Sequence, residues 1–127
     1  MNTNEIKQLI EKYIYAYNGF DIEGMIKLLH TDIQFRNYTN GVVDTEAKGI
    51  EAFRELAEHA ANLFTSRCQT ITDFAVINDK IIVGIDYVGI LAVDLSVGRK
   101  AGDELRLKGK SVFQVKDGKI VDIEDYS

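Results

Sequence analysis

Asp125 belongs to the run Val121-Asp122-Ile123-Glu124-Asp125, where it shares strand parity with Val121 and Ile123. If those two side chains face a core, Asp125 faces it too. A carboxyl in apolar surroundings has its pKa raised toward the range useful for proton transfer. Such a group can act as a general base on a C–H beside a carbonyl; the competing reading is a carboxylate at a chain end in bulk water. Ser111 is the second polar residue of inward parity. In Glu104–Lys116, Leu105, Leu107, Gly109, Ser111, Phe113 and Val115 alternate against Arg106, Lys108, Lys110, Val112, Gln114 and Lys116, the signature of a half-buried strand. Asn37 shares a face with Phe35 in Ile33–Asn37. Asn37 and Ser111 are candidates to orient a ligand carbonyl, because a polar group left unsatisfied in an apolar wall costs about 1–3 kcal/mol; backbone or water can satisfy them as well. Tyr13, Tyr17 and Tyr87 carry hydroxyls able to line a pocket, or to sit at the rim of an ordinary core.

Other chemistries find little support. His30 and His59 stand at no metal-ligand spacing with another histidine or cysteine, so no metal site is expected. His59 reads as an exposed helix residue, and His30 as a partner for the last carbonyls of a helix. Phosphate-binding glycine loops, a nucleophile elbow and Ser-His-Asp spacing are absent, and no cofactor is signalled. The single Cys68 cannot form an intramolecular disulfide and reads as a small apolar filler. Twenty acidic against fifteen basic residues give a net charge of −5, which repels phosphate backbones, so nucleic acid is not an expected partner. The basic run Arg99, Lys100, Arg106, Lys108 and Lys110 reads as a solvated strand face pairing with Asp86 or Asp94. No apolar run is long enough for a membrane span and no secretory signal is evident, so the expected location is the cytoplasm.

The elements that must hold these residues follow from periodicity. The 127 residues carry no linker and are expected to form one domain, 1–127. A helix from Asn4 buries Ile6, Leu9, Ile10, Tyr13, Ile14 and Tyr17 at three-four spacing and stops at Asn18-Gly19. A short second helix begins at an Asp21 N-cap and buries Ile22, Met25, Ile26 and Leu29. The brief strand Ile33–Asn37 follows, then a loop over 38–48. Gly49 opens a third helix with Ile50, Phe53, Ala57, Ala60 and Phe64 inside. The remainder reads as strands 67–77, 80–95, 103–116 and 119–126, with Asn78-Asp79 and Asp117-Gly118 as tight hairpin signals and Ser96-Val97-Gly98-Arg99 in the third connection. The fold class is α+β: three N-terminal helices packed on a mostly antiparallel sheet. The covered face should carry Val83, Ile85, Tyr87, Leu105, Leu107, Ser111, Phe113, Ile123 and Asp125. The opposite face of the long strand carries Ile82, Gly84, Val88, Ile90 and Ala92, an apolar strip that predicts a homodimer packing sheet against sheet.

The order of elements, the stretch Ala16-Tyr17-Asn18-Gly19-Phe20-Asp21, then Leu28-Leu29-His30-Thr31-Asp32-Ile33-Gln34-Phe35, and the closing Asp117-Gly118-Lys119-Ile120-Val121 resemble a nuclear transport factor 2-like domain. Nearest are the SnoaL-like polyketide cyclases and ketosteroid isomerases. The resemblance implies a strongly curved sheet folded around a helix, a cone-shaped α+β barrel with an apolar cavity open at one end. It matches the oxyanion-holding tyrosine of the isomerases to Tyr13, but puts Asn37 at their base position and Ser111 at their second oxyanion position, and Asn37 accepts no proton at neutral pH. The acidic base of the cyclases, near the end of the last strand, matches Asp125; their second acidic or histidine partner is replaced by Ser111. The implied function is a cofactor-independent cyclase, isomerase or dehydratase acting on a small apolar carbonyl compound. Asp125 and Tyr13 are its catalytic candidates, and Tyr17, Phe35, Asn37, Phe53, Tyr87, Ser111 and Phe113 its pocket wall. The alternative is a non-catalytic ligand-binding or dimerisation module of the same fold.

Overall fold

Helix α1, Thr3–Asn18, starts one residue earlier than its apolar stripe requires, because Asn2 and Glu5 form a reciprocal cap. The Asn2 side chain accepts from the Glu5 backbone N–H at 2.8 Å, and the Glu5 carboxylate accepts from the Asn2 N–H at 3.1 Å, satisfying N–H groups that a helix start leaves open. Asp21 caps the five-residue α2, Ile22–Ile26, through the Gly24 N–H at 2.9 Å. Between the helices the left-handed conformation falls on Phe20, at φ +57°, and not on the adjacent glycine. These coordinates belong to a computed structural model that describes residues 1–95 and 98–127.

The strands are β1 Leu29–Thr39, β2 Val42–Lys48, β3 Phe64–Ile77, β4 Lys80–Leu91, β5 Glu104–Lys116 and β6 Lys119–Tyr126, with α3, Ile50–Ala61, between β2 and β3. They form one mixed, curled sheet in the order β2-β1-β6-β5-β4-β3, in which β1 and β6 run parallel and the other neighbours antiparallel. The α+β class and the curved sheet over helices match the sequence expectation.

Several boundaries move. The expected loop over 38–48 is the second half of a hairpin: Asn40 and Gly41, at φ +52° and +81°, make the two-residue turn whose twist suits paired strands, and β2 pairs back onto β1. Leu29 opens β1 and does not close α2, while Phe64 opens β3, since α3 ends at Ala61. The long strand stops at Leu91, short of 95. Of its following connection, Ser96 and Val97 lie outside the described residues, and Leu95 bridges to Arg99. The Asp117-Gly118 turn is as expected, with both residues at positive φ.

The core fills the space between helices and sheet. Ile10, Val83 and Ile120 are fully buried, and Ile33, Ile123, Phe113 and Phe53 nearly so. Leu107, expected on the covered face, is 41% exposed, because the pocket described below opens at this end of β5. Cys68 is exposed and fills no core. His30 lies within β1: its Nδ1 accepts the Asp32 N–H at 3.0 Å, so it engages strand backbone in place of helix carbonyls. Of the basic run, Lys108 pairs with Asp86 at 3.5 Å as expected, Arg106 pairs with Glu104 at 2.6 Å, and Asp94 instead accepts the Ala101 N–H at 2.9 Å. Among the described residues no helix is long and apolar enough to cross a membrane.

Candidate functional site

β6 lies inside the sheet, between β1 and β5, so Asp125 is held by strands on both sides and does not fray into solvent. Its register partner on β1 is Asn37, and on β5 it is Ser111. Asn37 in turn stands opposite Thr45 on β2. Thr45, Asn37, Asp125 and Ser111 therefore make one polar row across four strands, two residues from the apolar row Ala47, Phe35, Ile123, Phe113 and Ile81. Period-two alternation puts both rows on the same face.

This face and the helices enclose a pocket of about 450 Å³. All the candidates named from sequence lie on its wall. Helix α1 supplies Tyr13 and Tyr17, α3 supplies Phe53, and the strands supply Phe35, Asn37, Tyr87, Ser111, Phe113 and Asp125. The rings lock edge to face: Tyr13 on Phe113 and Phe35 on Phe53, each at 5.9 Å between centroids, a favoured aromatic geometry.

Ser111 Oγ donates to Asp125 Oδ1 at 2.6 Å. Burial pushes the Asp125 carboxyl up from its usual 3.8 to about 6, against the opposing effect of the Ser111 hydrogen bond, which favours the charged form. Asp125 is thus ionised at neutral pH and sits within a pH unit or so of the value at which it would exchange its proton. Tyr13 is buried, and desolvation foremost, then the charge of Asp125, holds its hydroxyl above the ordinary tyrosine range, so it remains a neutral donor. Tyr17 Oη donates to Tyr87 Oη at 3.0 Å, and burial raises both phenols. Asn37 Nδ2 donates to Asp44 Oδ1 at 3.0 Å, so one of its amide protons is taken by an acid of β2 that sequence reasoning had placed in a loop.

The wall also holds residues that are not among the sequence candidates, His59 and Arg67 among them. His59, expected to be merely exposed, is exposed at the rim of the pocket. Arg67 on β3 is 5% exposed and lines the pocket beside Gln69. The alternation Arg67, Gln69, Ile71 against Cys68 and Thr70 was the available signal. Among the described residues no cluster of three or more histidine, cysteine, aspartate or glutamate side chains is arranged to hold a metal ion.

The sequence profile of the SnoaL-like domain matches residues 10–123. The chain belongs to the SnoaL-like domain family. Solved structures similar to this SnoaL-like chain include a candidate polyketide cyclase from Xanthomonas campestris, 21% identical, with a TM-score of 0.78 over 100% of this chain and 93% of that one. TsrD from Streptomyces laurentii is 22% identical, with a TM-score of 0.77 over 98% and 89%. A protein of ketosteroid isomerase-like fold from Catenulispora acidiphila, solved in complex with trimethylamine, is 13% identical, with a TM-score of 0.77 over 94% and 84%. At such identities the likeness is one of fold. Among curated proteins none matches the SnoaL-like chain in sequence.

Proposed function

We propose that the protein is a cofactor-independent enzyme of the SnoaL-like type acting on a small, largely apolar carbonyl compound, with Asp125 as its general base. The observation that carries this reading is the carboxylate of Asp125 in the pocket wall, pushed up to about 6 and fixed by Ser111 at 2.6 Å. A base of that pKa is mostly ionised at neutral pH, yet basic enough to accept a proton from carbon. Because the Ser111 proton is committed to Asp125 and one Asn37 amide proton to Asp44, the oxyanion role falls to Tyr13. Its phenol, kept neutral by burial, donates a hydrogen bond to the developing enolate oxygen while Asp125 takes the α-proton. Return of that proton at another carbon gives an isomerase, attack of the enolate on a second carbonyl a cyclase, and loss of a β-hydroxyl a dehydratase.

The test is deuterium exchange at the α-carbon of a probe ketone, 2-tetralone, followed by NMR in D₂O. Exchange should be accelerated with a rate that rises with pH about a midpoint near 6, and Asp125→Asn should lower it about a hundredfold or more. Exchange unaltered in Asp125→Asn would refute the role. The pairing of Asn37 with Asp44 favours a second reading, binding without turnover; it predicts that 2-tetralone binds without accelerated exchange. We also infer that the half-buried outer strip Ile82, Val88 and Ile90 packs against a second copy. Light scattering that reports a monomer at micromolar concentration would remove that inference.

A further inference from the structure

Arg67 is a buried guanidinium in a wall where the expected partner of such a group, a carboxylate, is missing among the described residues. Its Nε donates to the carbonyl oxygen of Tyr17 at 2.9 Å, at the end of α1. The guanidinium carbon lies 3.7 Å from the centroid of the Tyr17 ring and 4.5 Å from that of Phe20, so two aromatic faces hold the plane in place. The Phe20 ring reaches this position from a left-handed backbone, φ +57°, which a bulky residue adopts at a cost. Nη2 is buried and, among the described residues, has no hydrogen-bond acceptor. Asp125, the acid of the same pocket, is engaged by Ser111 and is perturbed by burial and that hydrogen bond, with no contribution from Arg67. By contrast, the charge of Arg67 is felt at the hydroxyls of Tyr13, Tyr17 and Tyr87. Tyr87, which accepts from Tyr17, keeps its own proton to donate.

A planar, pre-oriented cation with an idle donor, beside a tyrosine with a proton to give, is a receptor for an anionic oxygen. We propose that Arg67 recognises an acidic oxygen on the ligand, a carboxylate or an ionised enol or phenol, and that the ligand is a flat, mostly apolar molecule seated with that group against Arg67 and Tyr87 and its remainder toward Asp125. The inference rests on the pocket being a small-molecule site and deepens that reading by naming the ligand class. It requires no turnover.

The experiment is equilibrium binding by calorimetry at pH 7.5 with two matched probe pairs: 2-naphthoate against 2-naphthamide, and 2-hydroxy-1,4-naphthoquinone, an ionised enol at this pH, against its neutral 2-methoxy ether. The anion of at least one pair should bind about 10- to 100-fold more tightly than its neutral partner, and the pair that shows the preference identifies the kind of oxygen. Arg67→Met should abolish the preference while leaving neutral binding within about threefold, and Arg67→Lys should restore part of it. Since Arg67 also ties down the end of α1, a variant that fails to fold leaves the decision to the wild-type comparison, which needs no substitution. Equal binding of both members of both pairs, or a preference that survives in folded Arg67→Met, would overturn the Arg67 inference alone. Failure of all four probes to bind would overturn the small-molecule reading of the pocket together with it.

Discussion

Ionising Asp125 inside the folded protein works against stability, and the amount can be read from its environment. The carboxyl is raised from 3.8 to about 6, and at about 1.4 kcal/mol per pH unit its ionisation in the native state costs up to ~3 kcal/mol. Screening through the open side of the pocket reduces this to roughly 1.5–3 kcal/mol. Between pH 3.8 and 6 the folded protein binds the proton that the unfolded chain has released, so the contribution of this group to stability is greatest below pH 3.8. It is lost as pH rises through 6 and is flat above. Asp125→Asn keeps the shape, accepts the same Ser111 hydrogen bond and never ionises. The variant should therefore equal the wild type near pH 4 and exceed it above pH 7 by the full amount, roughly 5–10 °C in Tm for a chain of this size. Thermal and guanidinium unfolding of both proteins from pH 4 to 8 measures the difference directly, and the other titrating groups cancel in it. A difference that does not change with pH, or a variant less stable than the wild type at pH 8, would refute the placement of the carboxylate in a desolvated wall.

Gly109→Ala should destabilise the protein by about 3 kcal/mol, because a Cβ there runs into the carbonyl oxygen of Tyr126; denaturant unfolding measures it, and amide exchange in β6 should accelerate in the same variant. On the outer side of β1, Arg36 bridges Asp122 at 3.2 Å and Glu124 at 3.0 Å, all three at most about a quarter exposed. Arg36→Met leaves two neighbouring carboxylates without their cation, a loss of about 2 kcal/mol at pH 7; because, against the opposing effect of burial, Arg36 helps hold the Glu124 carboxyl below its usual range, the loss should shrink as pH falls through that lowered value.

The parts of the fold that sequence makes legible are those fixed by local rules. The alternation through Glu104–Lys116 sets the face of Ser111, and the Asp117-Gly118 turn starts the hairpin to β6, but an irregularity between Gln114 and Val115 then shifts the pairing by one residue and brings Asp125 opposite Ser111; without that shift Glu124 would stand there and Asp125 would face outward. β2 was obscured because it is an edge strand with most of its residues exposed, so it lacks the apolar alternation that marks a half-buried strand. Its local signal is the Asn40-Gly41 turn, both residues at positive φ, set among polar neighbours. The parallel pairing of β1 with β6 leaves no local trace, since it joins segments more than 80 residues apart. Asn37 could therefore be assigned to a face, while its position beside Asp125 could not. Arg67 was hidden by its type: an arginine on a strand reads as solvated until the aromatic faces that hold it are known.

Within the sheet, β6 is the sole splice between the hairpin β1-β2 and the meander β3-β4-β5. Each of those two pieces pairs strands that are neighbours in sequence, whereas the pairing of β6 with β1 waits for a search across most of the chain, the slow kind of encounter in folding. The acid that does the proposed chemistry rides on that splice. No half-assembled species can therefore carry a finished chamber with an idle base, and competence for catalysis should arrive in the same kinetic phase as closure of the sheet.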